Sequence, residues 1–541
     1  MTPAGRDLAL VGGTVRTLAD GGRVTEALLI EDGLVALSGT SREVTERARP
    51  GTPVVDLAGR CALPGLIDAH AHLELSALAE RRWVDVRALA PADTVARVAA
   101  AAADLAAGEW IVAQGTFGQE LPGRDELDRA APGHPVVIRE SMHKLAASSA
   151  ALAAAGIDRR TVEPAGTRVR RTPAGEPTGL VEEGFDLFPV PVADTAWLQD
   201  AMPAQALASF VRYGVTTIHE LPASAAAIAA WRRLAAADGL PCRVVLNPIL
   251  APGHQPTVGS VDEHGDLAAA LARLHPWLSV GALKLFLDGA GEAAWTREQL
   301  AAGPGSWGLP PFSYAALRMV LAACRERGVQ VWMHAVGGVA QELAVDAVEE
   351  TNRTHPAPDH RSRIEHLGNA VCDPAILPRL APAGVVPVPT ASFMHRYRPR
   401  PGDGEPGGNL PFPFRALIDA GLAPPGNSDS AGTAPFATTP WHGVAAMVQR
   451  RTGAGTAVPP ADQAVSLAEA VLAPTRHAAH ATFAEGSLGM LAPGMAGDVA
   501  VYGADPLELA VADLPALEAD LTIVAGRIVH RGPGAPATAG R

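Results

Sequence analysis

From residue 214 onward, short apolar segments alternate with longer segments of helical periodicity. The apolar segments lie at residues 215–219, 243–247, 283–287, 329–334, 363–366 and 384–388, with a last short one before Asn427. Helical patterns lie between most of them, as at residues 314–327 and 339–350. This alternation predicts a parallel β-sheet with helices outside. With Leu66 and Ile67 the strand candidates number eight, so we expect an α/β fold in which they form a TIM (β/α)8 barrel.

The first of these strands ends in two histidines. An apolar run at residues 63–67 is followed by His70 and His72. Alternate residues of a strand face the same side, so both imidazoles are aimed at one point, as a metal ion requires. The pair alone is also compatible with two unrelated polar residues that close a strand. A metal site therefore needs ligands from other strands.

Further polar residues stand at or near the ends of the later strand candidates, namely Lys284, His334, His366 and Asp429. Catalytic groups of a TIM barrel lie at the carboxyl ends of its strands. Neutral imidazoles and carboxylate oxygens are good ligands for a divalent ion such as Zn²⁺. A single buried histidine is more often a hydrogen-bonded core residue. Four histidines and an aspartate in this order on successive strands instead indicate a shared metal site.

Both ends of the chain read as short strands separated by glycine-containing turns. We expect residues 1–62 and 487–541 to form one small β-sandwich domain, although two independent flaps would give the same pattern. The barrel then spans residues 63–486. Residues 74–213 are too long for a simple strand-to-strand crossover, so we expect an inserted subdomain with helical pattern, clearest at residues 94–107. Such an insert could cover the active site or only enlarge the fold.

The composition of the chain restricts the classes of molecule that it can be expected to bind. The formal net charge of −13 argues against nucleic acid or an anionic membrane as partner. A membrane span is not expected either, because the long apolar runs belong to alanine-rich helical segments. The four cysteines lie far apart without a CxxC pair, which is typical of reduced thiols in the cytoplasm. We therefore expect a cytoplasmic protein that acts on a small molecule.

The strand-end residues lie in segments that resemble the amidohydrolase superfamily and, within it, the amidohydrolase 3 (YtcJ-like) family. The segments that carry the resemblance are PGLIDAHAH (64–72), KLFLDG (284–289), HAVG (334–337), RIEH (363–366), NSDS (427–430) and PGMAGDVAV (493–501). In the insert, His143 with SSAAL (148–152) and PTGLVE (177–182) match as well. The resemblance runs nearly from end to end, and it implies a metal-dependent hydrolase.

The resemblance implies a role for each strand-end residue. His70, His72 and Asp429 would bind the more buried metal, which we expect to be Zn²⁺. His334 and His366 would bind a second metal or polarise the substrate. Asp429 would take a proton from metal-activated water and hand it to the leaving nitrogen. Whether one ion binds or two stays open.

Lys284 matches the position where relatives often carry a carboxylated lysine that bridges two metals. A buried, uncharged amine can take up CO₂, and the carbamate is an anionic bridge between cations. The alternative is an ordinary barrel lysine paired with a carboxylate such as Asp288. The chain also departs from many relatives in having Gly338 where they have Asp, so an acidic partner near His334 is missing or comes from elsewhere.

Candidate substrate contacts are His143 and His395, and further residues that could line the mouth are Trp83, Trp307, Phe393 and Arg396. The expected reaction is hydrolysis of a non-peptide carbon–nitrogen bond in an amide, an N-formyl group or a cyclic amide. N-substituted formamide deformylation is one activity that the resemblance brings in. The alternatives are a lyase, isomerase or cyclase on the same metal barrel, or a scaffold without activity. A homodimer is expected at the level of the superfamily.

Overall fold

A computed structural model describes residues 6–19, 22–250, 256–297, 308–432 and 434–539. The N-terminal part contains β1 (Leu8–Val11), β2 (Thr14–Arg16), β3 (Val24–Thr25), β4 (Ala27–Glu31), β5 (Leu34–Gly39), α1 (Ser41–Arg47), β6 (Val54–Asp56), β7 (Cys61–Pro64) and β8 (Leu66–Ala71). The insert contains α2 (Leu73–Arg81), β9 (Val84–Asp85), α3 (Pro91–Ala103), β10 (Ile111–Gln114), α4 (Arg124–Ala130), β11 (Val136–Arg139), β12 (Lys144–Ala147), α5 (Ser149–Ala154), β13 (Arg168–Arg171), β14 (Pro177–Glu182) and α6 (Thr195–Ser209).

The alternating region contains β15 (Val215–Glu220), α7 (Ala225–Ala236), β16 (Arg243–Leu246), α8 (Val261–Leu271), β17 (Leu278–Val280), β18 (Leu283–Phe286), α9 (Tyr314–Glu326), β19 (Val331–His334), α10 (Gly338–Thr354), β20 (Ser362–Glu365), α11 (Leu377–Ala383), β21 (Val385–Val388) and α12 (Phe414–Asp419). The remainder contains α13 (Pro440–Gln449), α14 (Leu467–Leu472), α15 (Ala478–Ala481), β22 (Val499–Tyr502), β23 (Leu521–Val524), β24 (Arg527–Arg531) and β25 (Thr538–Ala539).

The expected alternation of strands and helices is confirmed, and the strands lie in two four-stranded parallel sheets. One sheet has the order β17-β16-β15-β8 and the other has the order β18-β19-β20-β21. The sheets meet where Lys284 N donates to Pro248 O and Leu250 N donates to Lys284 O, both at 2.9 Å. The parallel order places the carboxyl ends of β8, β15, β18, β19 and β20 on one side of the molecule.

The prediction of an eighth β-strand before Asn427 is wrong. Residues 426–430 run alongside β8 through three backbone hydrogen bonds, from Ala69 to Gly426, from Asp429 to His70 and from His72 to Ser430. Pro425 has no N–H, and Ser428 N donates to the Asp68 side chain at 3.1 Å. Asp429 has a φ of 47°, in the left-handed region. This segment therefore cannot continue a regular ladder, and it aims the Asp429 side chain instead.

The helices pack on the sheets through faces that their apolar spacing predicts. On α9, Leu317, Leu321 and Cys324 recur every three to four residues, and all three are buried. They lie in one core with Val331 and Met333 of β19. Each such leucine contributes on the order of 2 kcal/mol to stability through burial alone. None of the helices in the described ranges combines the length and the apolar character needed to cross a membrane.

Strands from the two ends of the chain share sheets. One sheet has the order β25-β6-β1-β4-β5 and the other has the order β24-β23-β22-β7-β2-β3. β22 pairs antiparallel with β7, with Val499 opposite Pro64 and Tyr502 opposite Cys61. β23 and β24 form a hairpin, because Ala525 and Gly526 have φ values of 48° and 75° and turn the chain. β7 leads into β8 through Gly65, so these sheets support the strand that carries the paired histidines.

The inserted segment differs from the expectation of a mainly helical subdomain. It contains a six-stranded sheet of order β13-β14-β12-β11-β10-β9, with α3, α4 and α5 among its helices. Its strands are short, so their two-residue periodicity is weak beside the alanine-rich helical pattern. The helix expected at residues 94–107 is α3, which starts earlier because Pro91 occupies its first turn.

Candidate metal centre

Two histidines of β8 and one aspartate that follows the parallel sheets form a compact cluster. The Nε2 atoms of His70 and His72 each lie 3.4 Å from Oδ1 of Asp429. One potential ligand atom from each residue lies within 4.8 Å of the others, and both histidines are buried. The backbone bonds between β8 and residues 426–430 hold this arrangement. The structure therefore brings together the three residues expected to bind the more buried metal.

His70 is oriented by a buried carboxylate that the sequence analysis did not identify. Its Nδ1 atom lies 2.5 Å from Oε2 of Glu365. Glu365 also accepts two hydrogen bonds from Arg363, at 2.7 and 2.8 Å, and the Arg363 guanidinium lies 3.5 Å from the centroid of the Trp332 ring. Because Nδ1 is engaged by Glu365, Nε2 is the nitrogen directed at Asp429. Residues 363 and 365 alternate on β20 and so face the same side, which is the signal that could have found the pair.

His366 and His334 extend the cluster. Nδ1 of His366 lies 3.7 Å from Oδ2 of Asp429, and the His334 and His366 rings are 4.6 Å apart between centroids. The His334 ring also stacks on Phe286 at 5.0 Å. His366 and Asp429 both have positive φ, at 69° and 47°. Backbone strain of this kind costs on the order of 1–3 kcal/mol per residue and is concentrated at functional sites.

Asp288 is an acidic residue beside His334, where the presence of Gly338 in place of Asp left an acidic partner to be found. Its Oδ1 atom lies 3.8 Å from Nε2 of His334. Its carboxylate accepts hydrogen bonds from Trp295 N, Val336 N and Gly337 N at 2.8–3.0 Å. Burial raises the pKa of Asp288 to about 7, against these hydrogen bonds. An acidic partner is thus supplied from the loop after β18.

Lys284 is buried and makes no ion pair within 4.0 Å in the described part of the chain. Its alternative partner Asp288 is occupied by the three backbone groups. Burial lowers the pKa of Lys284 to about 8, and the negative charges of Glu365 and Asp429 oppose that shift. The Lys284 amine therefore lies near these carboxylates, and a larger fraction of it is uncharged than in an exposed lysine.

The protonation states of His72, His366 and Asp429 favour the binding of a cation. Burial lowers the pKa of His72 to about 4 and that of His366 to about 3, so both rings are neutral at pH 7. Burial alone would raise the pKa of Asp429, but His70, His366 and His72 hold it well below its ordinary value. Among the described residues, the Nε2 atom of His70 is buried without a hydrogen-bond partner. Neutral imidazoles beside an ionised carboxylate, with an orphaned ring nitrogen, fit a divalent metal.

Two glutamates brace the start of the helix that follows His72. Glu220, the last residue of β15, accepts hydrogen bonds from Leu73 N at 2.5 Å and Glu74 N at 3.0 Å. Glu74 in turn accepts from Ala223 N and from the Ser224 hydroxyl, at 2.7 and 2.6 Å. Each carboxylate satisfies amide groups at a helix start that lack partners within the helix. The two parallel strand ends are thereby tied together beside His72.

Of the two residues expected to contact the substrate, one lies beside the cluster and the other packs elsewhere. The His143 ring lies 5.0 Å from the His334 ring, at the edge of the cluster. His395 contacts Phe436 at 4.3 Å and His442 at 5.3 Å, and no described contact joins it to the cluster. The Phe393 ring is parallel to that of His366 at 6.5 Å.

Two of the other mouth candidates contact residues of the insert. Trp83 packs against the buried guanidinium of Arg139, 4.8 Å from its ring centroid. Arg396 donates to the carbonyl of Phe117 in the insert at 3.3 Å. Trp307 lies outside the described residues.

A model of the family described as the amidohydrolase family matches residues 53–530. The chain is 28% identical over 543 residues to YtcJ of Bacillus subtilis (strain 168), an amidohydrolase by name, and the alignment covers 96% of this chain and 98% of that relative. It is also 28% identical over 553 residues to the N-substituted formamide deformylase of Arthrobacter pascens, with 98% and 99% covered.

Solved structures share the fold. An uncharacterized metal-dependent hydrolase of Pyrococcus horikoshii has a TM-score of 0.68 at 20% identity, covering 94% of this chain and 99% of that one. Atrazine chlorohydrolase TrzN of Arthrobacter aurescens, solved with zinc, has a TM-score of 0.55 at 16% identity, covering 97% and 95%.

Proposed function

The chain belongs to the amidohydrolase family, and from that membership we propose that it removes the acyl group of a small-molecule amide, with N-substituted formamides as the first substrate class. As a family member it is a metal-dependent hydrolase that acts on carbon–nitrogen bonds. The observation that carries the proposal is the meeting of His70, His72 and Asp429, with both imidazole Nε2 atoms 3.4 Å from one carboxylate oxygen.

The proposed reaction adds one water across the carbon–nitrogen bond. An N-substituted formamide and water give formate and the free amine. A divalent cation held by His70, His72 and Asp429 would lower the pKa of a bound water from ~15.7 toward ~7 and draw charge from the carbonyl oxygen. Asp429, ionised in the resting site, accepts the proton of the attacking water. The C–N bond then breaks, and Asp429 returns that proton to the leaving nitrogen.

The remaining side chains hold these groups in place. Glu365 accepts from Nδ1 of His70 and so directs Nε2 inward, as carboxylates beside ligand histidines commonly do. His366 lies beside Asp429 and His334 lies beside His366, where they would bind a second ion or polarise the carbonyl oxygen. We propose Zn²⁺ as the metal, because nitrogen-rich ligand sets favour it.

Carboxylation of Lys284 is part of the proposal. The chain has 44 Lys and Arg residues, of which only Lys144 and Lys284 are lysines. Arginine replaces lysine almost everywhere else, but its guanidinium is always protonated and cannot form a carbamate under these conditions. A buried lysine with a pKa near 8 can. The retention of lysine at this position therefore supports the bridging role.

We also propose that the two parallel sheets and residues 426–430 close into one (β/α)8 barrel. The hydrogen bonds of Lys284 with Pro248 and Leu250 support closure between the sheets, and those of Ala69, His70 and His72 with residues 426–430 support it beyond β8. The shared sheets of the two chain ends support a composite domain of residues 1–62 and 487–541.

The test is formate release by the metal-loaded enzyme from a panel of N-alkyl and N-aryl formamides. The proposal expects turnover that is lost after chelation and restored by Zn²⁺. The product amine and formate together must exceed the substrate mass by one water. An intact metal site that yields an isomer or an eliminated product, without added water, would instead support a lyase, isomerase or cyclase.

A further inference from the structure

The insert brings a second histidine–carboxylate pair to the edge of the metal centre. His143 lies in the turn between β11 and β12, and Glu183 directly follows β14. Nδ1 of His143 lies 2.9 Å from Oε2 and 3.1 Å from Oε1 of Glu183. The main chain joins the same two residues, since Glu183 N donates to His143 O at 2.8 Å. The pair is therefore fixed through both backbone and side chains.

Glu183 is also anchored to the loop after β18. Its Oε1 atom accepts a hydrogen bond from Ala290 N at 3.1 Å, and its carbonyl accepts from the Thr167 hydroxyl at 2.8 Å. A Cβ atom at Gly289 would lie only 1.9 Å from Oε1, so glycine is needed there for this close approach. Glu183 itself has a φ of 51°, which turns its side chain back toward His143. A strained, fully buried carboxylate in this position indicates a function beyond packing.

Among the contacts of the described residues, His143 joins the cluster at His334, and the negative charge of Asp429 also acts on its ring. Its ring lies 5.0 Å from that of His334, whereas the described contacts of Asp429 are with His70, His72 and His366. If Asp429 protonates the leaving nitrogen, the amine half of the substrate lies on the Asp429 side. The carbonyl oxygen and the acyl substituent then lie toward His334 and His143.

We propose that Glu183 is a positioning residue that fixes the tautomer and orientation of His143, and that His143 contacts the acyl half of the substrate and selects for a small acyl group. This inference rests on the proposed function. With Nδ1–H donated to Glu183, the ring presents Nε2 to the substrate side. No covalent step is added, because the pair only places and restricts the acyl group.

The first experiment compares two substrate series, one with different acyl groups on a fixed amine and one with different amines on formyl. His143→Ala is expected to lower kcat/KM for formamides by about 10²-fold and to reduce the formyl-to-acetyl preference at least about tenfold. Preferences within the amine series should change by less than about threefold. An equal change in both series, or a change confined to the amine series, overturns the assignment of His143 to the acyl half.

The second experiment is a double-mutant cycle that separates positioning from structural support. Glu183→Gln should lower kcat/KM about tenfold when His143 is present and by less than about twofold in the His143→Ala background. A full effect in both backgrounds would show that Glu183 acts through the Ala290 loop instead. The control is Glu182→Gln at the preceding residue, the last of β14, because Glu182 pairs with Arg170 at 2.7 Å rather than with His143. It should leave acyl preference unchanged.

A third measurement distinguishes failure of the pair from failure of the proposed function. In ¹⁵N-histidine-labelled protein, the signal of His143 is identified as the one that disappears in His143→Gln. In the wild type this signal should show a proton on Nδ1. In Glu183→Ala the signal of that proton should shift or exchange with solvent. A wild-type enzyme that releases no formate contradicts the proposed function. A His143 that carries its proton on Nε2 alone contradicts the pair, whatever the substrate.

Discussion

The Nδ1 atom of His70 lies 2.5 Å from Oε2 of Glu365, although the residues are 295 positions apart in the chain. Glu365 is at the same time held by Arg363 through two hydrogen bonds. Burial alone would raise the pKa of Glu365, but Arg363, His70 and Lys284 keep it far below its ordinary value, so it is ionised. This contact decides which ring nitrogen of His70 is available for a cation.

Glu365→Gln should weaken metal binding by about 10–100-fold, because a neutral amide replaces the ionised carboxylate that accepts from Nδ1 and sets the tautomer of the ring. The free energy of unfolding should also fall by about 3–5 kcal/mol, since Arg363 keeps its buried charge without a full partner. Competition with a chromophoric chelator measures the metal affinity, and urea unfolding measures the stability. Glu326→Gln on the exposed side of α9 is the control. An unchanged metal affinity would remove Glu365 from this role.

Asp429→Asn should fold and retain metal, because its amide oxygen can still act as a ligand, but it should lose turnover by about 10²–10⁴-fold. The reason is that an amide cannot accept the proton of water at neutral pH. Elemental analysis and formate release measure the two properties on the same sample. Asp419→Asn, on the exposed end of α12, should behave as wild type. Turnover close to wild type in Asp429→Asn would exclude it as the general base.

Lys284→Ala should lose at least one equivalent of metal, whereas Lys144→Ala should not. For the wild-type apoenzyme, reconstitution with Zn²⁺ should require CO₂ or bicarbonate and should become faster as the pH rises toward about 8, the pKa of Lys284. The sign follows from the chemistry, since only the neutral amine takes up CO₂ and its fraction grows from about one tenth at pH 7 to about one half at pH 8. Metal content that is independent of bicarbonate and of Lys284 would contradict the bridge.

The sequence allowed the site to be predicted where chemistry is written into a short motif. The sequence predicts that His70, His72 and Asp429 meet, because polar groups that follow parallel strands lie on one side of the sheet, and the structure places one potential ligand atom of each within 4.8 Å of the others. The alternation of Arg363 and Glu365 on β20 is a local signal for that pair, but nothing local indicates the contact of Glu365 with His70 on β8. Glu183 could not be predicted, because it acts through a partner on another element and a buried carboxylate has no local signature. The same holds for Glu220, whose partners are backbone amides at a helix start.

The fold was predictable where periodicity is strong. The strands predicted between residues 215 and 388 correspond to β15, β16 and β18 to β21, because helices with clear apolar faces separate most of them. β17, which is three residues long, was not recognised. The six strands of the insert are two to six residues long, and alanine-rich segments around them favour a helical reading. The segment before Asp429 is not a β-strand. Pro425 has no N–H, Ser428 N donates to the Asp68 side chain and Asp429 has a positive φ, and each of these interrupts the hydrogen-bond ladder.

Leu321→Ala should reduce the free energy of unfolding by about 2–5 kcal/mol, because the side chain is 3% exposed and lies in the core between α9 and β19. Met319→Ala on the same helix is the matched control, since Met319 is 69% exposed, and it should change stability by less than about 0.5 kcal/mol. Chemical unfolding of both variants measures the difference. Equal losses would show that α9 packs through another face.

The central claim is that a divalent cation binds between His70, His72 and Asp429. The direct measurement is X-ray diffraction from crystals of the zinc-loaded protein, with anomalous data collected on both sides of the zinc edge. The account predicts a zinc peak about 2.0–2.2 Å from Nε2 of His70, Nε2 of His72 and a carboxylate oxygen of Asp429. A zinc peak elsewhere in the molecule, or none at this position in an enzyme that is active, would contradict it.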